Sequence, residues 1–516
     1  MNMKKQKTFY ITTPIYYASG PLHIGHLYCT IMAWVIRNYK RVLGYDAKLL
    51  TGSDEHGQKI QEKALVAKKE PKQYVDDLVK SYKEMWAKWE IDYDYFSRTT
   101  ESFHEQAVQK IFSYFLQKGL IYKGSYQGLY SVQDEEFLTK NQAVYKDGKY
   151  YHPSSKHELI NMEEESYFFK MNEVQKWWSK YNKKHPDFLL PKKVVNEMTN
   201  NFVKEGLEDL SVTRTNVKWA IPTIDDPKHT IYVWFDALFN YITKLGFDFN
   251  KPKDDFVKYW KNGDEIVHIL GKEIARFHFI YWPIVLNCLG IKLPNHIVSH
   301  GLLRDKDGLK MSKSLNNVIA PDYLFDKYHH EMIKYYFATQ IIFGEDGNFS
   351  EEKLKEVVNA DLINNYGNLV SRTLKMIHNS FPKGLLYSVN SKKIHKDIEK
   401  EIKNFSAQFQ KHMDAFEIDK GFKKAIELSA KLNKYIDETT PWKLTDKLEE
   451  LEPILVRLLN GIYAVSCALQ IVLPTKIKEV ASVLKVKKFD FEKINDFNKF
   501  DKVICDEKYL LFNRLK

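Results

Sequence analysis

The chain holds 516 residues, 61.0 kDa in mass, with a net charge of +11, which exceeds one ordinary domain and predicts two to four. Its 44% hydrophobic and 14% aromatic content excludes a largely disordered protein. No stretch approaches the roughly 20 continuous apolar residues of a membrane span, and the opening MNMKKQKTFYITTPIYY has neither a signal-peptide nor a transit-peptide pattern, so a cytoplasmic protein is expected.

The positive charge favours a polyanionic partner through counterion release. It decides little alone, because 69 lysines against only 9 arginines also fit a compositional bias. The four cysteines (Cys29, Cys288, Cys467, Cys505) are scattered with no CxxC pair. That argues for reduced core cysteines over disulfides or a thiolate metal site.

In chain order, Thr8–Ile15 is β-branched and aromatic, residues 24–42 carry a helical apolar pattern, and Asp46–Thr51 is a second apolar run. Strand, helix, strand opens a parallel α/β sheet. Residues 121–165 are polar, tyrosine-rich and without clear periodicity, as in an inserted subdomain. Strand signals return at Ile231–Trp234, Glu265–Leu270 and His296–Ser299. Beyond about residue 352 strands give way to amphipathic helical patterns such as Glu351–Ala360, Ile394–Phe409 and Ala425–Ile436, an all-α C-terminal domain.

Two short motifs carry chemistry. Pro21-Leu22-His23-Ile24-Gly25-His26 falls at a strand-to-helix turn. There free backbone N–H groups suit phosphate, His23 and His26 share a helical face, and Gly25 admits a nucleotide close to the backbone. The pair suits stabilisation of charge on an α-phosphate. Lys310-Met311-Ser312-Lys313-Ser314 follows Asp305-Lys306-Asp307-Gly308, two lysines around hydroxyls in a loop that suits pyrophosphate. Alone, each has a bland alternative: two histidines near a helix start, or a solvated lysine loop.

Together HIGH and KMSKS, in this order, resemble the paired signature of class I aminoacyl-tRNA synthetases. The segments FYITTPIYYASGPLHIGHLY, LTGSDEHGQKI, YVWFDALFNYI, ILGKEIARFHFIYWP and SHGLLRDKDGLKMSKS resemble the methionyl-tRNA synthetases over roughly residues 8–350, and more weakly beyond. The resemblance implies an α/β fold with a Rossmann-like parallel-sheet catalytic domain. Residues 1–120 would be its first half, 121–175 an inserted connective subdomain without zinc ligands, and 176–318 its second half ending at KMSKS. A stem-contact linker at 319–352 and an α-helical anticodon-binding domain at 353–516 would follow.

It further implies ATP-dependent activation of L-methionine and its transfer to a methionine tRNA with a CAU anticodon, with Mg²⁺ accompanying ATP. His23, His26, Lys310 and Lys313 would be catalytic. Gly25, Gly271, Glu273 and Ser312 would join those four in holding ATP. Ile15, Tyr17, Trp234, Ala237, Leu238, Tyr241 and His300 would form the methionine pocket, with Asp54 pairing the α-ammonium. Asn368, Arg372, Pro441 and Trp442 would meet the anticodon, beside Asn433–Glu438.

The chemistry is sensible in itself: aromatic walls suit a polarizable thioether, and a carboxylate is the natural partner of an ammonium. The sequence departs from the family at Glu273, where the family pattern has aspartate. It departs again in the insertion, where Ser131 and Asp134 replace a zinc-knuckle cysteine pair. His152 and His157 lack thiolate partners and read as surface histidines, so no structural zinc is expected. With no appended oligonucleotide-binding domain, a monomer is expected.

Three rivals are weaker. A leucine, isoleucine or valine synthetase would need room for a large editing domain between His26 and Lys310. A small nucleotidylyltransferase would lack the helical domain, and a decayed tRNA-binding protein would not keep both motifs intact.

Overall fold

A computed structural model describes residues 6–516 apart from 132, 134–135, 139, 141–142, 154, 312–316, 386–394, 498, 501–502 and 505–508. The chain packs as two units. One comprises residues up to Arg37 together with Asp46–Gly301, the other Asn38–Tyr45 with Leu302–Lys516.

In the first unit, strand β1 (Thr8–Tyr17) leads through a turn to helix α1 (Ile24–Val42) and back to β2 (Asp46–Asp54). Next come β3 (Tyr95–Arg98), helix α2 (Ser102–Gln117) and two long strands, β4 (Ile121–Ser131) and β5 (Glu158–Phe169). The short edge strand β6 (Leu189–Leu190), helix α3 (Val233–Leu238), β7 (Glu265–Gly271) and β8 (His296–His300) complete the elements that place the site. β1 is buried on both faces from Phe9 to Thr13, as a central parallel strand must be.

The sheet order is β3-β2-β1-β7-β8-β6, with every pairing parallel. From β1 the chain first winds outward to β2 and β3, then returns to β1's other side as β7 and β8. The order reverses between β1 and β7, which makes the crevice at their carboxyl ends the expected ligand site. The β1–β2 register shifts between Thr12 and Ile15, at Pro14, which has no N–H for the ladder. Opposite Ile15, Gly52 is obligatory: a Cβ there would lie 2.2 Å from the Ser97 carbonyl oxygen.

The insertion is an antiparallel sheet in which β4 and β5 pair from Ile121↔Phe169 to Tyr130↔Ile160. The hairpin Val144–Lys146/Lys149–Tyr151 extends it. Partly solvated strands with tyrosines on both faces explain why no clean alternation was visible.

Two expectations change. Ile231–Trp234 is not a strand: only Thr230–Ile231 pairs, with Thr213–Arg214, and helix begins at Val233. Val233, Phe235, Asp236, Ala237 and Leu238 are all buried, and periodicity cannot separate a short all-buried run into helix or strand. His152 is no surface histidine. It is buried, and its Nδ1 accepts the Ser155 N–H at 3.1 Å, fastening the turn before β5. His157 is exposed.

In the second unit, among the described residues, the only named strands are the short pair Leu303–Arg304 and Gly347–Asn348. Glu351–Val357, π-type turns over Val358–Gly367 and helix α4 (Asn368–Ser380) follow without a break. Helix α5 (Ile418–Thr439) packs on helix α6 (Leu448–Leu469). α6 is long and apolar enough to cross a membrane, but 89% of its most apolar stretch is buried inside the protein, so it is a core helix. Cys29, Cys288 and Cys467 are free thiols; Cys505 lies outside the described residues.

Candidate active site at the carboxyl ends of the sheet

The site residues expected in the first unit sit where the parallel strands end. Ile15 and Tyr17 close β1, Asp54 closes β2, Gly271 closes β7 and His300 closes β8. The Ala18 N–H bonds the Asp54 carbonyl at 2.8 Å, tying the end of β2 to the turn before α1. Asp54 itself is buried, and its charge acts on both Tyr241 and His56. Glu273 lies just past β7 and is exposed. Its carboxylate folds back over Gly271, where a Cβ would meet Oε2 at 2.5 Å, and its charge reaches His300.

At the start of α1 the backbone donors do not face outward as expected. The His23 N–H donates to His26 Nδ1 at 3.0 Å, and the Gly25 N–H donates to His23 Nδ1 at 3.1 Å. Each ring thus uses Nδ1 as acceptor, and a neutral imidazole must then carry its proton on Nε2. The rings stand 3.9 Å apart between centroids. Burial, and then His23, hold the His26 pKa well below 6.5, so His26 is a neutral donor. The Tyr16 ring meets it edge-on at 4.8 Å, and the Thr30 hydroxyl bonds the His26 carbonyl at 2.9 Å. A Cβ on Gly25 would crowd the His23 ring at 3.0–3.1 Å.

The aromatic wall rises from α3 and the residues after it. Trp234 is half-buried and stacked on Phe277, with centroids 4.0 Å apart and planes 6° from parallel. Ala237, Leu238 and Tyr241 are buried. The Tyr241 hydroxyl lies 2.7 Å from His278 Nε2, while His278 Nδ1 lies 3.0 Å from the Ile274 carbonyl. Since that carbonyl only accepts, His278 carries its proton on Nδ1, and Tyr241 donates. Burial lowers the His278 pKa to about 4, against the opposing effect of the Ile274 bond. Behind Tyr241, His268 is held between the Thr12 hydroxyl (2.7 Å) and the Trp282 N–H (3.1 Å). His300 has its pKa lowered by burial; its Nδ1 is 2.8 Å from the Gly301 carbonyl, and Tyr28 packs edge-on against its ring at 5.1 Å.

In the second unit, Lys310 is exposed, and its backbone forms an isolated antiparallel β-bridge with that of Arg304. The Asp305 carboxylate shapes this turn, accepting from the Asp307 and Leu309 N–H groups at 3.0 and 2.8 Å and from Asn317 at 2.7 Å. Ser312 and Lys313 lie outside the described residues. On α4, Asn368 is exposed one turn before Arg372. The Arg372 guanidinium bonds Asp437 at 2.7 Å and lies 5.9 Å from the centre of the Trp442 ring. Trp442 is 48% exposed beside the buried Pro441, so a core role for this tryptophan is excluded. Asn433 faces inward, donating to Asn365 and Ser429.

Residues not singled out in the sequence complete the picture: Tyr16, Thr30, His268, His278, and the buried set His56, His104 and Asp236. Tyr16, His56, Asp236 and His278 lie within the segments that carry the resemblance, but no role was implied for them. The insertion holds no thiolate set. Ser131 is buried on β4, Asp134 lies outside the described residues, and no group of three or more His, Cys, Asp or Glu among the described residues could hold a metal. A zinc knuckle does not fit these residues.

The family described as "tRNA synthetases class I (M)" matches residues 9–152 and 152–374. The chain is 48% identical to the methionine–tRNA ligase of Mycoplasmopsis pulmonis, covering 99% of this chain and 100% of that one. It is 42% identical to that of Ureaplasma parvum over 96% and 98%. The Mycobacterium tuberculosis methionyl-tRNA synthetase in complex with methionyl-adenylate superposes with a TM-score of 0.92 at 29% identity, over 99% of this chain and 100% of that one. The chain belongs to the class I tRNA synthetases, in their methionine branch.

The His278 geometry has a measurable consequence. Its folded pKa lies below the ordinary 6.5, so the stability it contributes is complete above pH 6.5 and is lost as pH falls toward about 4. Urea unfolding should show the wild type losing more stability across that window than His278→Gln. Parallel stability curves for the two proteins would contradict the buried neutral ring.

Proposed function

We infer that this chain is a methionine–tRNA ligase working in two steps. A methionine carboxylate oxygen attacks the ATP α-phosphorus, and the bond to the β-phosphate breaks, releasing pyrophosphate. A terminal ribose hydroxyl of the tRNA then attacks the adenylate carbonyl, and AMP leaves. No enzyme nucleophile is needed, so catalysis is positioning and charge stabilisation.

The observation that carries this reading is the convergence, at the reversal of one parallel sheet, of a buried carboxylate (Asp54), an aromatic wall (Trp234, Tyr241) and two imidazoles in fixed tautomers (His23, His26). Asp54 takes the ammonium. Trp234, backed by Phe277, and Tyr241, pinned by His278, enclose the thioether with Ile15, Tyr17, Ala237, Leu238 and His300. His23 and His26 donate from Nε2 to the phosphates, beside Gly25. Gly271 and Glu273 meet the ribose, and Lys310, Ser312 and Lys313 follow the leaving pyrophosphate. ATP enters as its Mg²⁺ complex. In the helical domain, Trp442 offers an exposed ring on which an unpaired base of the CAU anticodon stacks, with Asn368, Arg372 and Pro441 around it. The protein is a cytoplasmic monomer.

Purified protein should catalyse ATP–pyrophosphate exchange that depends on methionine; stronger stimulation by another amino acid removes the assignment. His23→Ala and Lys313→Ala should each slow adenylate formation by about a hundredfold or more, with methionine affinity little changed. Near wild-type rates in both would dismiss the phosphate assignment.

Metal analysis should find no stoichiometric zinc, and chelator should leave folding intact. About one tightly bound zinc per chain would refute this.

Trp442→Ala should leave pyrophosphate exchange unchanged, because that assay contains no tRNA. Aminoacylation should weaken by roughly 5–150-fold, the worth of a base–aromatic stack at ~1–3 kcal/mol. Melting temperature should hold, since the ring is half exposed. Equal losses in both assays would remove Trp442 from the anticodon site.

A further inference from the structure

One buried charged cluster lies outside the groups assigned so far. Asp236 is fully buried on α3, between Trp234 and Ala237. Its Oδ2 is 2.7 Å from His56 Nδ1, and its Oδ1 is 2.6 Å from His104 Nε2. His104, on α2, reaches the Thr243 hydroxyl with its other nitrogen at 2.7 Å. His56 stands two residues past Asp54. Its Nε2 is 3.6 Å from Glu105 on α2, and Trp219 covers it with ring centroids 5.6 Å apart. Trp219 is itself tied to this turn: its indole N–H donates to the Glu55 carbonyl, and its own carbonyl accepts the Gly57 N–H at 2.9 Å.

We propose that Asp236, bridging His56 and His104, is a positioning clamp that holds the pocket helix Val233–Leu238 in register with Asp54 and thereby sets the affinity for methionine. The proposal rests on the reading of this site as a methionine pocket.

Three considerations carry it. A six-residue helix has no stability of its own, so the placement of Trp234, Ala237 and Leu238 comes from what grips α3. Stability alone does not call for a carboxylate at its centre, because a buried ion pair is often matched by a well-packed apolar residue. What the carboxylate supplies is direction: two charged hydrogen bonds, to two different elements, from the middle of the helix. One of those elements ends in the ammonium's counter-charge, and the helix itself carries the thioether wall. The clamp therefore fixes the spacing between the two ends of the bound amino acid.

Electrostatics agree with a permanently formed clamp. Burial alone would depress the His56 pKa, but Asp236, Glu105 and Asp54 face it and hold it up, to about 10. Asp236 is kept low against its own burial by His56 and His104. The ion pair therefore persists across the physiological range.

The test is steady-state pyrophosphate exchange, with separate KM values for methionine and ATP, in wild type, His56→Gln, Asp236→Asn and the double variant. Each single change should raise KM for methionine by about tenfold or more and leave KM for ATP within about twofold. The double variant should be little worse than either single one, because the residues act as a unit. A residue that merely supports the fold would lower kcat with the active fraction and leave both KM values alone, and that result overturns the clamp. So does a double variant whose losses multiply. If Asp236→Asn is insoluble, His56→Gln, which keeps the Asp236–His104 bond, decides the matter. Wild-type exchange that ignored methionine would instead overturn the function itself, and the two failures are thus distinct.

Discussion

Everything at this site depends on β1 pairing in parallel on both sides, with β2 on one and β7 on the other. Two neighbours with carboxyl ends at the same edge leave a crevice where the chain's two windings part. Into it the fold delivers Asp54 from β2, Gly271 from β7 and His300 from β8. The Cys29 thiol on α1 comes within 4.0 Å of the Ile269 carbonyl on β7, so the helix that carries the paired histidines lies along that seam. A one-residue slip of β1 would turn Ile15 and Tyr17 to the other face. The Pro14 irregularity and the bare Cα of Gly52 hold them where they are.

The pocket is built in layers of fixed protonation. Tyr241 is aimed by His278, which is set by a backbone carbonyl; His268 behind it is held by a threonine and an indole. These rings are neutral because burial penalises their charged form. Tyr241, His278 and His268 thus present aromatic surface whose polar atoms are satisfied by one another, by Thr12 and Trp282, and by the backbone.

Much of this was legible in the sequence. The α/β class followed from the run of β-branched residues at Thr8–Ile15, the amphipathic stretch at 24–42 and the late shift to helical periodicity. The two-residue strand Leu189–Leu190 was not, since its existence depends on β8 lying beside it. Ile231–Trp234 misled because three buried residues followed by a half-buried one show no alternation to separate strand from helix. The histidines of the HIGH motif were visible as residues, but their tautomers were not. Those follow from backbone N–H groups two or three positions away, whose direction only the folded turn defines. His278 and Asp236 stand in segments that carry the resemblance, but their roles were not legible, for they are made by partners 37 and 180 residues distant.

The engagement of the His23 and Gly25 amides by imidazole nitrogens alters what the beginning of α1 offers. A helix start usually presents bare amides, which hold an anion only if it comes flush against the main chain. Here those amides polarise two rings, and each ring passes the pull outward from its far nitrogen. The positive end of the helix is carried forward by the width of an imidazole and divided into two points. A phosphorus centre changing from tetrahedral to five-coordinate shifts its oxygens as it reacts. Donors set back by a ring meet those oxygens away from the main chain, where amides in the first turn do not reach.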